Sequence, residues 1–236
     1  MKMKYYSGIR NKKKAAKIGD ELSFASKEAF NLLKTNISFA FPDKKGGKVI
    51  GISSACPQEG KSTTAINLAY SLADGENRVL LIDGDMRRPS VSFSVGVDMA
   101  PGLSNMLAKN ENVKMHSGIL QEKLDVVASG DIPPNPSELI GSQKMRDLLE
   151  DFRQKYDYVI IDLPPVLSVA DALAVSKFVD GMVIVVRHNS ARRKDVVETI
   201  RQLEFANAKV VGFVYNKIES SGGKKYYRYN KYYKKS

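Results

Sequence analysis

Short unbroken runs of apolar residues alternate along the chain with longer stretches whose apolar positions recur every three or four residues. The runs are KVIGISSA (48–55), RVLLID (78–83), LDVVASG (124–130), YVIIDL (158–163), GMVIVVR (181–187) and KVVGFVYN (209–216). A strand with one wet face shows strict alternation, whereas a continuous β-branched run means burial on both faces. The stretches between them read as helices: KSTTAINLAYSLAD (61–74), PSELIGSQKMRDLLEDFRQKY (136–156), ADALAVSKFV (170–179) and ARRKDVVETIRQLEFAN (191–207). Ahead of the first strand, Phe30, Leu33, Ile37 and Phe41 share one face of a helix over 20–41, which FPDKKGG then ends. Alternating strands and helices predict an α/β fold: a doubly wound, mostly parallel sheet with helices on both sides, forming one domain over 20–218. Ligands of such sheets bind beyond the carboxyl ends of the strands.

Composition adds limits. An apolar share of 43% supports a real core. No run approaches the roughly 18 apolar residues of a membrane span, and the basic opening MKMKYYSGIRNKKKAAK lacks the apolar stretch of a signal peptide. The one cysteine, Cys56, excludes an internal disulfide and fits a reducing compartment, so the expected location is cytoplasmic. His116 and His188 are too far apart in sequence to suggest a metal pair.

Charge is concentrated at the two ends. Residues 1–17 carry +7 and residues 224–236 carry +6; against a total of +11, this leaves −2 for everything between. The reading is a nearly neutral fold with a basic arm at 1–19, a tail at 219–236 and disorder at both ends. Of the 11 tyrosines, Tyr226, Tyr227, Tyr229, Tyr232 and Tyr233 stand in the tail, KKYYRYNKYYKKS. Basic ends suggest attraction to a polyanion, and solvated tails would look the same.

Three motifs stand at three strand ends. ACPQEGKST (55–63) follows the first strand and opens a helix. It departs from the phosphate loop GxxxxGK[ST] at Ala55 but keeps Gly60, Lys61 and Ser62. Backbone N–H groups from Gln58 through Glu59, Gly60 and Ser62 to Thr63 can cradle phosphates, Lys61 can meet the β- and γ-phosphates, and the Ser62 hydroxyl can hold Mg²⁺. VLLIDGDMRRP (79–89) places Asp83 and Asp85 at a second strand end, either facing a metal and a phosphoryl group or pairing with Arg87 and Arg88. YVIIDLPP (158–165) ends in Asp162, a Walker-B-like carboxylate. Lys61 with Asp83, Asp85 and Asp162 on one edge makes a magnesium–nucleotide site.

These motifs resemble the bacterial tyrosine kinases of capsule and exopolysaccharide synthesis, P-loop proteins unrelated in fold to eukaryotic kinases. The likeness runs through 21–236. It rests on ACPQEGKST, IDGDMRRP, GLSNML (102–107), ASGDIPPNPSELIGS (128–142), IIDLPP and the tyrosine cluster. It implies ATP and Mg²⁺ as cofactors, Asp83 facing the attacking tyrosine hydroxyl, Asn216 near the adenine, and autophosphorylation of the five tail tyrosines. The partners it implies are a separate transmembrane adaptor of the polysaccharide chain-length-determinant type, other copies in a ring, and a cognate phosphotyrosine phosphatase. Recruitment to the inner face of the membrane follows, with no nucleic-acid partner. Two departures stand out: Gln58 replaces a glycine, and the leading helix carries Glu28, Asn31 and Lys34 where the family has ExxRxxR.

Two other readings compete. Partition and septum-site ATPases share the sheet and loop, but carry a signature lysine where this chain has Cys56. A basic tail with interleaved tyrosines can also stack bases or lie on a membrane surface. That role leaves the nucleotide site without a purpose.

Overall fold

The computed structural model describes residues 17–42, 46–109, 113 and 115–218. The described residues contain a seven-stranded sheet. Its strands are β1 (Lys48–Ser54), β2 (Val79–Asp83), β3 (His116–Ser117), β4 (Leu124–Val127), β5 (Tyr158–Asp162), β6 (Gly181–Arg187) and β7 (Val210–Asn216), in the order β3-β4-β2-β5-β1-β6-β7. All pairs are parallel except β3 with β4. The helices are α1 (Phe24–Ala40), α2 (Lys61–Ala73), α3 (Val91–Val95), α4 (Leu103–Lys109), α5 (Pro136–Ile140), α6 (Gln143–Lys155), α7 (Asp171–Ser176) and α8 (Arg193–Phe205).

Burial on two faces explains the unbroken apolar runs of β1, β2 and β5, but not that of β7, which lies at the sheet edge with Phe213 and Tyr215 exposed. In β5, Val159 and Ile161 face a core formed with Met145, Leu149 and Phe152 of α6 and Val175 of α7. Ile160, between them, joins the opposite core with Ile66 and Leu72 of α2 and Ile37 of α1. The sheet thus separates two apolar layers, the doubly wound arrangement that the alternation predicts. On α1, Ile37 and Phe41 are buried and Phe30 and Leu33 half-buried, as their spacing requires. Lys34 Nζ donates to the Ser71 carbonyl at 3.1 Å, and Ser71 Oγ donates to Asn31 Oδ1 at 3.4 Å, so both substituted positions of the leading helix bind α1 to α2.

The stretch 136–156 is two helices, not one. α5 stops at Gly141, and Ser142 restarts the chain as the cap of α6, its Oγ accepting from Met145 N–H at 3.3 Å. α3, α4 and β3 are elements that the sequence pattern did not reveal. No helix among the described residues is long and apolar enough to cross a membrane.

Phe152 fills the layer between α6 and the sheet with 2% of its surface exposed. Phe152→Ala should lower stability by about 3–5 kcal/mol, read as a lower urea midpoint with an unchanged slope.

Candidate functional site

The order β2-β5-β1 brings the three motif-bearing strand ends side by side. Asp83, the last residue of β2, is in register with Asp162, the last of β5, and Asp162 is in register with Ile52 of the neighbouring β1. Adjacent strands lie about 4.8 Å apart, so backbone pairing alone sets the two carboxylates at neighbouring positions.

After β1 the chain turns through 55–60 into α2. Gln58 and Gly60 both take left-handed backbone angles, φ 66° and 97°. Gly60 has a second reason to be glycine: an added Cβ would lie 2.0 Å from Asn216 Nδ2. Asn216 donates through that nitrogen to the Glu59 carbonyl at 2.9 Å, pinning the loop to the end of β7. The Glu59 carboxylate folds back under the loop and accepts from Cys56 N–H at 3.1 Å. Burial raises its pKa, against the N–H groups of Cys56, Ala55 and Arg187. Its outward contribution is therefore backbone. Cys56 is half-buried, with Sγ 3.9 Å from Asp195 Oδ2, and burial pushes its thiol pKa up. That is a packed, unactivated thiol.

The acidic cluster is nearly dry. Lys61 Nζ lies 2.8 Å from Asp85 Oδ2 and 3.3 Å from Asp162 Oδ1, with side-chain exposures of 12% for the lysine, 5% for Asp85 and none for Asp162. Lys61 Nζ also donates to the Ser62 hydroxyl at 3.3 Å. Among the described residues Asp83 has no cation of its own. Its Oδ2 accepts from Ser90 N–H at 3.1 Å and Val91 N–H at 3.0 Å, and its Oδ1 from Asp85 N–H at 3.3 Å. Burial, then the charge of Asp162, raises the Asp83 pKa from 3.8 to about 7. Asp162 is shifted upward too, first by burial. For Lys61, burial alone would lower the pKa, but Asp162, Asp85 and Asp83 together raise it. The ammonium therefore stays charged.

Lys61, Ser62, Asp83, Asp85 and Asp162 thus converge, with Gln58, Glu59, Gly60, Thr63 and Asn216 around them. The five tail tyrosines lie outside the described residues. Of the two arrangements open for the second motif, pairing of its acids with Arg87 and Arg88 is not the one adopted. Arg87 Nε instead meets Asp171 Oδ2 of α7 at 3.0 Å, and its Nη2 donates to Ser137 Oγ of α5 at 3.0 Å. Buried Asp171 and Ser137 were missed from sequence. Asp171 stands 34 residues from Ser137 and 84 from Arg87, so no local signal pointed to it. They anchor the 84–90 turn, and with it Asp85, to the opposite layer.

An AAA domain model matches residues 47–210. Tyrosine-protein kinase YwqD of Bacillus subtilis is 38% identical over 206 residues, covering 87% of this chain and 84% of YwqD. The chain belongs to the bacterial tyrosine-protein kinases. A longer relative, tyrosine-protein kinase ptk of Acinetobacter johnsonii, is 36% identical; this kinase spans 88% of itself but 28% of ptk in that match. The kinase domain of Escherichia coli tyrosine kinase ETK superposes with a TM-score of 0.79 at 32% identity, covering 84% of this chain and 77% of that one. Pyrococcus furiosus cell division ATPase MinD has the same fold at a TM-score of 0.63 and 25% identity, over 74% of each chain. The kinase therefore has a P-loop, nucleotide-binding fold and phosphorylates tyrosine. The septum-site ATPases are its cousins in architecture.

A proton on Asp83 is the testable consequence of the cluster. Between about pH 4 and 7 the folded kinase keeps a proton there that the unfolded chain has released. The stabilisation from this group is present at low pH and is lost as pH climbs through 7. Carboxyl carbon NMR on the nucleotide-free kinase should show one aspartate titrating near 7, moving down when magnesium and nucleotide are added. A midpoint near 4 for every aspartate would contradict this account of the site.

Proposed function

We propose that the kinase transfers the γ-phosphoryl group of magnesium-bound ATP to tyrosines of its own tail, and so controls capsule or exopolysaccharide synthesis or export. One observation carries the reading: a phosphate-loop lysine stands between Asp85 and Asp162, with Asp83 in register beside them. The donor set fits magnesium. It offers only oxygens, from Ser62, Asp83 and Asp162, which suit a hard cation. Among the described residues no group of three His, Cys, Asp or Glu is placed to hold a metal unaided. Magnesium is usually held by one or two carboxylates plus substrate phosphates, so that is the expected pattern. Held there, the cation would supply positive charge against the phosphates during transfer.

The protein groups then have distinct tasks. The loop N–H groups of 58–63 hold phosphates, Lys61 neutralises the β- and γ-oxygens, and Asn216 keeps the loop shape and borders the adenine. Asp83 orients the tyrosine hydroxyl. An ordinary aspartate is about 6 pKa units below tyrosine, roughly 8 kcal/mol uphill for full transfer. A loose phosphoryl transition state needs little prior deprotonation, so Asp83 accepts the proton late.

By this reading 20–218 is the catalytic unit, 1–19 a basic arm and 219–236 the substrate tail. Tyr226 follows Ile218 by eight residues, at most about 29 Å of extended chain, enough for its own site or a neighbour's. Family resemblance favours a neighbour in a ring. The outward face of α1 supports self-association through apolar contact: Phe24, Leu32 and Phe39 are exposed there, while Lys34 reaches Ser71 of α2. A separate membrane adaptor would recruit the kinase to the inner membrane face, and a phosphatase would reset it.

Lys61→Met should abolish phosphotyrosine formation by purified kinase with Mg-ATP, with an unchanged circular dichroism spectrum. Wild-type labelling by that variant would overturn the loop assignment. Mixing it with an intact-loop chain whose five tail tyrosines are phenylalanine should label the Lys61→Met chain. An unlabelled chain in that mixture, with wild-type labelling independent of concentration, would exclude transfer between molecules.

The tail's +6 should also reverse on modification, since five phosphates at about −1.5 to −2 each bring it to roughly −1.5 to −4. Light scattering at low salt should show a smaller assembly for the phosphorylated kinase. An unchanged mass in a protein that self-associates beforehand would overturn the charge-reversal idea.

A further inference from the structure

Three large apolar side chains stand in water at the carboxyl edge of the sheet, on segments fastened around Asp83. Phe93 is 89% exposed, Ile132 62% and Met99 39%. Single exposed apolar residues are ordinary, whereas a group of them at one edge marks a contact surface. Phe93 belongs to α3, whose first residue, Val91, donates its N–H to Asp83 Oδ2 at 3.0 Å. Val91 and Val95, one turn apart, are buried in the layer with α2, and Phe93 between them faces out.

Residues 96–102 then cross the carboxyl ends of the strands, from α3 in one apolar layer to α4 in the other. Midway, the Met99 carbonyl accepts from Gly130 N–H at 2.8 Å, three residues beyond the end of β4. Ile132 follows two residues later. Asn105, only 4% exposed, ties the two segments together: its Oδ1 accepts from Gly102 N–H at 3.0 Å and from Asp131 N–H at 3.2 Å. The backbone of this surface is therefore fixed before anything binds it.

The sheet order gives the surface its side. β2, which carries Asp83, has β4 as one neighbour, about 5 Å away, while β1 and its phosphate loop lie two positions off on the other side, about 10 Å. Phosphoryl transfer sets the attacking and leaving oxygens roughly in line through phosphorus. With the leaving ADP on the β1 side, an attacking oxygen that meets Asp83 comes from the β4 side. Phe93, Met99 and Ile132 stand on that side.

The chemistry of the surface suits a phenol ring more than a charge. Asp98 and Asp131, each directly ahead of an exposed apolar residue, are exposed, but so are Arg88 and Lys109, and the charges cancel. What remains is apolar area. In KKYYRYNKYYKKS the tyrosines are the only apolar residues, because 224–236 holds no aliphatic one.

We propose that Phe93, Met99 and Ile132 form the acceptor-docking surface, which holds tyrosine rings from the tail of another copy while an adjacent hydroxyl meets Asp83. This rests on the proposed use of the tail as substrate. The paired tyrosines Tyr226-Tyr227 and Tyr232-Tyr233 fit it, since one ring can pack on the surface while its neighbour presents the nucleophile. Serine and threonine have no ring to leave there, so the same contact favours tyrosine as acceptor.

Fluorescence anisotropy tests the docking, with a labelled KKYYRYNKYYKKS peptide and the full chain holding magnesium and a non-hydrolysable ATP analogue. Phe93→Ser combined with Ile132→Ser should raise the peptide Kd by about tenfold or more. With Mg-ATP, the KM for phosphorylation of the peptide should rise by a similar factor, with kcat within about twofold of the parent. Both side chains are exposed, so the melting temperature should not move, and Phe93→Leu with Ile132→Val should bind as the parent does. Unchanged Kd and KM, with the peptide still phosphorylated, would overturn this inference and leave the tail reading intact. Weaker binding to the serine variant of a peptide that is never phosphorylated would overturn the tail reading alone, and neither binding nor phosphorylation would overturn both. An equal loss of binding for a peptide with alanine in place of its tyrosines would mean that the surface holds lysines, which overturns the docking of rings. A smaller assembly of the serine variant in light scattering, at unchanged peptide Kd, would assign the surface to contact between folded copies and overturn it too.

Discussion

Three carboxylates held within one or two strand spacings of each other, all out of water, cannot remain ionised together without a cation among them. In this kinase one ammonium, that of Lys61, serves Asp85 and Asp162 directly and leaves Asp83 to backbone N–H groups and a proton. Much of the local architecture follows from keeping that lysine in place. It is the first residue of α2, so the turn before it must be tight. The turn needs Gly60 at positive φ because Asn216 crosses above it, and Asn216 is there because β7 runs parallel to β6 at the same edge. The apolar layers on the two faces keep the strand ends in register, and the register sets the carboxylates side by side.

The parts of this arrangement that depend on where each strand ends are legible in the chain's own pattern. A run such as YVIID can only be a strand buried on both faces, and an aspartate at its end must then emerge at the carboxyl edge. Three such motifs read on three strands predict one site. The strand order, which makes Asp162 the neighbour of Asp83, is a tertiary fact that no local pattern carries. The short elements were illegible for a related reason. α3, with five residues, and β3, with two, complete too little of a helical or strand period to leave a signature. The break between α5 and α6 was written in the sequence as Gly141-Ser142, a stop followed by a cap, but a continuous apolar stripe masks it. The Arg87–Asp171 pair joins residues far apart in sequence, so charge alone could as easily have paired Arg87 with its own motif.

The two departures from the family pattern have physical answers in the fold. Gln58 takes the left-handed backbone that a glycine would adopt freely, a strain of about 1–3 kcal/mol in general, held by the neighbouring loop contacts of Glu59 and Asn216. Asn31, still exposed, and half-buried Lys34 both bond Ser71 and so tie α1 to α2. Cys56 likewise occupies the signature-lysine position of the septum-site ATPases, but its thiol sits against the start of α8 beside Asp195.

The acidic cluster also links the binding of phosphate to the binding of a cation. Lys61 cannot turn fully toward a phosphate and still neutralise Asp85 and Asp162, whose desolvation is already almost complete. Moving it without replacement would leave two buried carboxylates uncompensated, beside a third that holds a proton only up to about pH 7. Phosphate binding by the loop is therefore favourable only where a second positive charge takes the place the lysine vacates. By this argument nucleotide and cation bind as a pair, each weak alone. On the mechanism proposed above, the proton on Asp83 would leave as they arrive, freeing the carboxylate for a tyrosine hydroxyl once the phosphoryl donor is in place.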